Sequence, residues 1–321
     1  MSLQMYSADR QSNGALALTN ALVIGYGSIG ARHARILCEL GCNTAVVSHR
    51  VVQYPLVFNS IQRALDDHAP EYVVIANATD LHYKSLELLA QLDYRGTVLV
   101  EKPIFGHILS LPSHSFRQAG VAYNLRFHPI LQDLKNLLRG ETILTAQAYA
   151  GQYLPDWRPG TDYRSSYSAD VARGGGVLRD LSHELDYLCW LLGSCHRVAA
   201  IGGHVSPLEI SSDDAFSMLL STIRCPIVSV QLNYLDRHAR RVLVVNTADH
   251  TFEADLVRGT LTVDGNVTSV ALDRDTTYRA MHGKLLCGFS EDVCSLDDGL
   301  ATVRLVEAAT HAARQLEWVN L

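Results

Sequence analysis

The first part of the chain alternates short, wholly apolar runs with stretches of helical periodicity. Residues 21–25 (ALVIG), 43–48 (NTAVVS), 72–76 (YVVIA), 97–102 (TVLVEK) and 121–124 (VAYN) read as strands. Between them, 29–40 repeats apolar residues at Ile29, Ile36, Leu37 and Leu40. Residues 60–68 fit a short helix, and 81–92 set Leu86, Leu89 and Leu92 on one side. Strands without a polar face are buried on both sides, and the helical segments between them supply the cover. The pattern predicts a parallel sheet with helices on both faces.

After Asn124 the pattern changes. A helix over 129–138 leads to a strand near 143–150, then a loop rich in Tyr, Arg, Asp and Ser, then an apolar helix over 177–192. Strand-like stretches follow at 216–223, 227–234, 241–246, 251–256 and 260–263, with turn signals such as Asp264-Gly265 between them. A helix over 298–316 comes last. Strand after strand without long helices predicts an open, mostly antiparallel sheet. The expected class is α/β: a doubly wound Rossmann domain over 20–123 and a substrate-binding and oligomerisation α+β domain over 124–321. Residues 1–19 read as a flexible leader.

Composition narrows the function. At 321 residues the chain exceeds one Rossmann unit, in keeping with two domains. It is 48% hydrophobic and 19% charged, enough for a substantial core. A net charge of −6 without a Lys/Arg block argues against nucleic acid or an anionic membrane surface as the main partner. No uncharged apolar run reaches about 18 residues, so no transmembrane helix is expected. The opening MSLQMYSADRQSNG lacks the apolar core of a secretion signal, and a cytoplasmic location is expected. Seven cysteines without CxxC or zinc spacing read as free thiols, and no metal site is expected.

The clearest chemical motif is Gly25-Tyr26-Gly27-Ser28-Ile29-Gly30, a G-x-G-x-x-G string between an apolar strand and a helix. In that context Gly25 permits a tight turn, Gly27 lets the backbone approach a pyrophosphate, and Gly30 lets helix and strand pack closely. Free N–H groups at Ser28 and Ile29 then face the anion. The second strand ends Ser48-His49-Arg50, with no acid to hold a ribose 2′-hydroxyl. A hydroxyl and a guanidinium suit a 2′-phosphate, which favours NADP over NAD; the alternative is that Arg50 stacks on adenine or faces solvent. Lys102 ends a parallel strand, at the edge where such sheets bind ligands. Pro103 holds its backbone extended. Its amine can bond a reacting oxygen, or simply pair with Glu101.

Together these motifs resemble the Gfo/Idh/MocA oxidoreductases. The resemblance runs through GYGSIGARHARIL (25–37), NATDLHYKSLELL (77–89), EKPIF (101–105) and YNLRFHP (123–129). It continues in GGGVLRDLSHELDYLCWLLG (174–193) and CSLDDGLATVRLVEAA (294–309). It implies an NAD(P)-dependent enzyme acting on CH–OH groups of a sugar, sugar nucleotide or cyclitol, assembled as a homodimer or homotetramer. It also implies a catalytic or substrate-positioning Lys102, with Asn77 and Thr79 near the nicotinamide; Glu101 joins them in the expected cofactor set. Residues 157–169 look most like members from surface-polysaccharide and nonulosonic-acid gene neighbourhoods.

The family usually sets an Asp and a His four apart on the helix after the glycines. Here Asp180 and His183 are three apart and Glu184 holds the four-apart position; aligning on His183 through Asp186 instead puts Arg179 where the Asp would stand. On one helix, three and four apart share a face. The expected roles are His183 as general acid/base, Asp180 orienting it or the substrate, and Glu184 in reserve. Tyr163, Arg164, Tyr167 and Arg126 are substrate candidates, against loop packing or an interdomain salt bridge. His33 and His82 read as structural, and His204, His238, His250, His282 and His311 as surface or packed residues. Two other functions stay open: glycoside cleavage with a tightly held NAD, and dinucleotide sensing without turnover.

Overall fold

The computed structural model describes residues 19–289 and 291–321, so the expected leader lies, apart from Thr19, outside the described residues. The first sheet holds β1 (Asn20–Ile24), β2 (Asn43–Val47), β3 (Val57–Phe58), β4 (Tyr72–Ile75), β5 (Thr97–Val100) and β6 (Gln118–Val121). Their order is β3-β2-β1-β4-β5-β6 and every pairing is parallel. Helices α1 (Ser28–Glu39), α2 (Ile61–His68) and α3 (Thr79–Gln91) cover it. Leu22, Val73 and Val98 pack with Leu86 and Leu89 of α3, whereas Val23, Val74 and Leu99 pack with Ala34 and Leu37 of α1. Both faces are therefore buried, which is why these strands carry no polar alternation.

The second domain begins with α4 (Pro129–Leu137) and β7 (Ile143–Gly151). After a stretch of short turns come α5 (Val177–Asp180), α6 (His183–Leu192), β8 (Cys195–Gly203), β9 (Ala215–Thr222) and β10 (Ile227–Asn233). There follow β11 (Arg240–Thr247), β12 (Thr251–Asp255), β13 (Thr260–Val263), β14 (Asn266–Ser269), α7 (Thr276–Leu286), α8 (Leu296–Gln315) and β15 (Val319–Asn320). The nine strands run β14-β13-β12-β11-β7-β10-β9-β8-β15. Only β7 and β10 pair in parallel; the other pairings are antiparallel. Ala146, Met218 and Val230 turn inward against Leu134, Leu188 and Ala309. The alternate positions Ser217, Leu219 and Gln231 are exposed. The α/β class with a mostly antiparallel second sheet is as the pattern predicts.

Several elements depart from the pattern: β3, β8, β14 and β15 were not expected, and the strand expected over 121–124 lies at Gln118–Val121. The single helix expected over 177–192 is broken at Leu181 and Ser182 into the one-turn α5 and the longer α6. The helix α7 gave no clear periodic signal, because its buried face mixes Met281 and Leu285 with Thr277 and His282. It packs back on the first domain, where Met281 and Leu285 join Val23, Val74 and Ala122. The next helix bridges both domains. Leu296, Leu300 and Val303 belong to the first core, and Leu305, Val306 and Ala309 to the second. Its start is fixed by a reciprocal capping box between Ser295 and Asp298.

Candidate active site

A cleft of about 1200 Å³ opens at the carboxyl ends of β1, β4 and β5, with walls from both domains. At one end, β1 feeds the glycine turn. Gly25 has φ 96°, and a Cβ there would lie 2.6 Å from the Asn77 backbone. A Cβ on Gly30 would run into the Gly25 carbonyl, so only glycine lets α1 start this close to the strand. At Gly27 the same atom would meet open space. Ser28 and Ile29 form the cleft wall beside it, at the N-terminus of α1.

Asn77 and Thr79 follow β4 on the same wall. Asn77 Nδ2 donates to Ser85 Oγ at 2.9 Å. Its Oδ1 is buried with no partner among the described residues. His82 bridges the carbonyls of Asn77 (3.2 Å), Pro103 (3.1 Å) and Ile104 (3.2 Å), tying this turn to the one after β5. Ser48 and Arg50 stand past β2, away from the cleft wall; the Arg50 backbone N–H donates to Ser48 Oγ at 3.1 Å, and the Arg50 side chain is exposed.

Lys102 reaches across the domain boundary, its Nζ donating to the Asp180 carbonyl at 2.8 Å. Glu101, expected among the cofactor contacts, has both oxygens engaged. Oε2 accepts from the Lys102 backbone at 3.0 Å, and Oε1 bonds His33 Nε2 at 2.8 Å. It is thus a positioning group rather than a free acceptor. From His33 the bonds continue through His282 Nε2 (2.8 Å) to Tyr72, whose hydroxyl meets His282 Nδ1 at 2.8 Å. One assignment satisfies every atom: Tyr72 O–H donates to His282, His282 to His33, and His33 to Glu101. Burial, and then His33, hold the His282 imidazole well below its ordinary range. Burial opposes the charge of Glu101, but His33 and Lys102 outweigh it and leave the carboxyl below its usual value.

The break between α5 and α6 removes the shared helix face expected for Asp180 and His183. Asp180 turns to tyrosines: Tyr167 donates to Oδ1, and Tyr234 donates to Oδ2 at 2.6 Å. Burial raises its pKa to about 6, against the opposing pull of Lys102. Glu184, the reserve partner, is instead paired with Arg241 at 2.7 Å. Neither carboxylate bonds His183. That ring packs edge-on against Tyr123 at 5.5 Å, with Nδ1 buried and unpartnered among the described residues. Burial first, then the Lys102 and Arg241 charges, hold it well below its ordinary range.

Of the substrate candidates, only Tyr167 lines the cleft. Arg126 is committed to a buried fork on Asp186, at 2.7 and 3.0 Å, with Asp298 at 3.2 Å. Arg164 is exposed and held by Asp162 and Glu209. The Tyr163 hydroxyl accepts from the Glu209 backbone at 3.2 Å. Acids within reach in the fold satisfied the two arginines, which spacing alone could not reveal. Instead Arg158, Arg173 and Arg179 line the wall, together with Arg274 and Tyr278 of the returning segment. The sequence marks Arg179 only as standing in the place of the family's Asp in one alignment, and it assigns none of these residues a binding role. Among the described residues no cluster of three His, Cys, Asp or Glu side chains could hold a metal, and no helix is long and apolar enough to cross a membrane.

Residues 131–262 match the GFO/IDH/MocA C-terminal domain family. The match lies within the second domain and bears out the resemblance read from the sequence. No curated protein matches the chain in sequence. Among solved structures, a levoglucosan dehydrogenase in complex with NADH superposes with a TM-score of 0.76 at 16% identity, over 94% of this chain and 98% of its own. GenD2 from gentamicin A biosynthesis, in complex with NAD, gives 0.75 at 18%, over 94% and 96%. The UDP-N-acetylglucosamine 3-dehydrogenase GnnA from Acidithiobacillus ferrooxidans gives 0.73 at 18%, over 93% and 99%. At these identities the likeness is one of fold.

Proposed function

We propose that the chain is an NAD(P)-dependent oxidoreductase that moves a hydride between nicotinamide and a carbohydrate-like alcohol or ketone. One observation carries this reading: the glycine turn, the unpartnered Asn77 Oδ1 and the Lys102 turn share one cleft at the carboxyl ends of three parallel strands. These residues fit a dinucleotide. The open space at Gly27 and the first N–H groups of α1 suit a pyrophosphate, and Asn77 Oδ1 awaits a donor. Neighbours of the same fold are named as dehydrogenases of a sugar and a sugar nucleotide, which supports a carbohydrate-like substrate.

The bound cofactor supplies or accepts the hydride. Lys102, anchored on the Asp180 carbonyl, polarises the substrate oxygen and stabilises charge that develops there. His183 is kept neutral by burial but is not among the residues that line the cleft, so the proton exchange expected of it requires the substrate to reach past that wall. Asp180 acts on the amine and on Tyr167 rather than on the imidazole. The exposed Arg50 beside Ser48, with no acid at the end of β2, favours NADP. A cytoplasmic enzyme is part of this reading. So is a homodimer or homotetramer, built through the open sheet face where Ile201, Leu219 and Ile227 are exposed.

The test is fluorescence titration with NADH and NADPH, then a screen of sugars, cyclitols and sugar nucleotides followed by nicotinamide absorbance. The expected result is binding of both cofactors, NADPH more tightly, and turnover that Lys102→Met lowers by about 10²–10³-fold without loss of binding. A protein that binds neither cofactor overturns the reading.

A further inference from the structure

The second domain lines the cleft with Trp157, Arg158, Tyr167, Arg173 and Arg179, and none of its carboxylates lines that wall. Among the described residues, none of the three arginines has a carboxylate within ion-pair distance; Arg173 Nη1 donates to the Ser165 carbonyl at 3.2 Å. Asp180, the neighbour of Arg179 in the chain, has both oxygens occupied by tyrosine hydroxyls, and Asp213, whose carboxyl feels the Arg179 charge, accepts from the Leu178 backbone at 3.1 Å. Arg158 lies close enough to that carboxyl to lower its pKa. Arg179 directly precedes the residue whose carbonyl holds the Lys102 amine. Like charges gathered in a cleft repel one another and focus a positive field outward. An anion entering the cleft is drawn to that field.

The cofactor is a poor candidate for that anion. Its phosphates belong at the glycine turn, where Arg32, already paired with Asp275 at 3.5 Å, and Arg274 stand. We propose that the substrate itself is an anionic carbohydrate. Its carboxylate or phosphate is held by Arg158, Arg173 and Arg179, and its ring lies along the Trp157 indole. A guanidinium fork matches either oxyanion, and an indole offers apolar area to a sugar ring. The inference rests on the oxidoreductase reading of this cleft and narrows its substrate.

The experiment uses the full-length protein with its preferred cofactor. Glucose and myo-inositol serve as neutral probes, glucuronate as the carboxylate, and glucose 1-phosphate and UDP-glucose as phosphate sources. Turnover confined to, or much faster on, an anionic sugar is expected, and the active arm identifies the oxyanion. In Arg158→Gln and Arg179→Gln, KM for that sugar should rise roughly tenfold or more, the loss of one charge-assisted pair. The NADH dissociation constant should hold. Neutral sugars turned over equally well, or arginine variants that weaken NADH binding, overturn the inference. Should no probe be turned over although cofactor binds, the oxidoreductase reading fails separately. Calorimetry on the cofactor complex then decides the arginine site. Binding of glucuronate or glucose 1-phosphate but not glucose, lost in the Arg158→Gln/Arg179→Gln double variant, sustains it; no binding ends it.

Discussion

The two ends of the cleft are built from different materials. At the glycine turn, recognition comes from backbone: Gly25 and Gly30 are set by van der Waals contact with Asn77 and with each other, and the donors are main-chain N–H groups at the start of α1. At the opposite wall, recognition comes from long side chains carried on short turns between β7 and α5, with Arg158 and Arg173 exposed. The first end is held by backbone contact and suits one class of ligand, an anion at a helix N-terminus. The second end can change its ligand by changing single residues while the fold stays the same. A cofactor shared by many enzymes suits the rigid end, and a particular substrate suits the adaptable one.

Mutations at the boundary between these ends should have the largest effects. Lys102→Met should lower kcat by about 10²–10³-fold, as loss of one charge-stabilising donor does, with NADH affinity retained in fluorescence titration. Lost affinity would instead move Lys102 to the cofactor end. Gly25→Ala strikes the rigid end. It sets a side chain at φ 96° against the Asn77 backbone, strain on the order of 1–3 kcal/mol. Cofactor affinity should fall more than substrate KM changes.

His282→Ala leaves the Tyr72 hydroxyl and His33 Nδ1 buried without their partner. It should lower stability by about 1–3 kcal/mol, seen as a reduced midpoint in urea. At the adaptable wall, Asp180 is ionised above about 6 and protonated below it. kcat/KM should therefore fall as pH drops through about 6, and Asp180→Asn should flatten that limb. The linked stability runs the other way. A carboxyl whose pKa is raised on folding stabilises the native state when protonated, and that contribution fades as pH rises from about 4 toward about 6. The smallest effect belongs to Arg50→Ala. An exposed, solvent-screened pair is worth little, so NADPH affinity should fall by only about threefold to fivefold while NADH affinity stays put.

What the sequence made legible follows the same division. The β1–α1 turn could be read because backbone recognition demands glycine at fixed positions and an apolar strand just before them. The Lys102 turn could be read because a parallel sheet presents its ligands at strand ends. The second wall could not. Arg126 and Arg164 looked as available as Arg158 and Arg179, and only the fold shows that Asp186 and Asp162 satisfy the first pair. The pairing of Asp180 with His183 failed for a local reason. The expected face needs one continuous helix, and the break at Leu181 and Ser182 separates the two residues, with the carboxylate bonded to Tyr167 and Tyr234. His282 passed as an isolated histidine because its partners lie more than two hundred residues away in sequence.

The segment that returns from the nine-stranded sheet to the parallel one stitches the molecule together. Because α7 sits in the first core and α8 ends in the second, no single cut separates the two lobes into complete folding units. A graft that exchanges substrate lobes between enzymes of this architecture has to leave the α7 seam with its native cofactor lobe. Otherwise the recipient inherits an open hydrophobic groove where Met281 and Leu285 belonged.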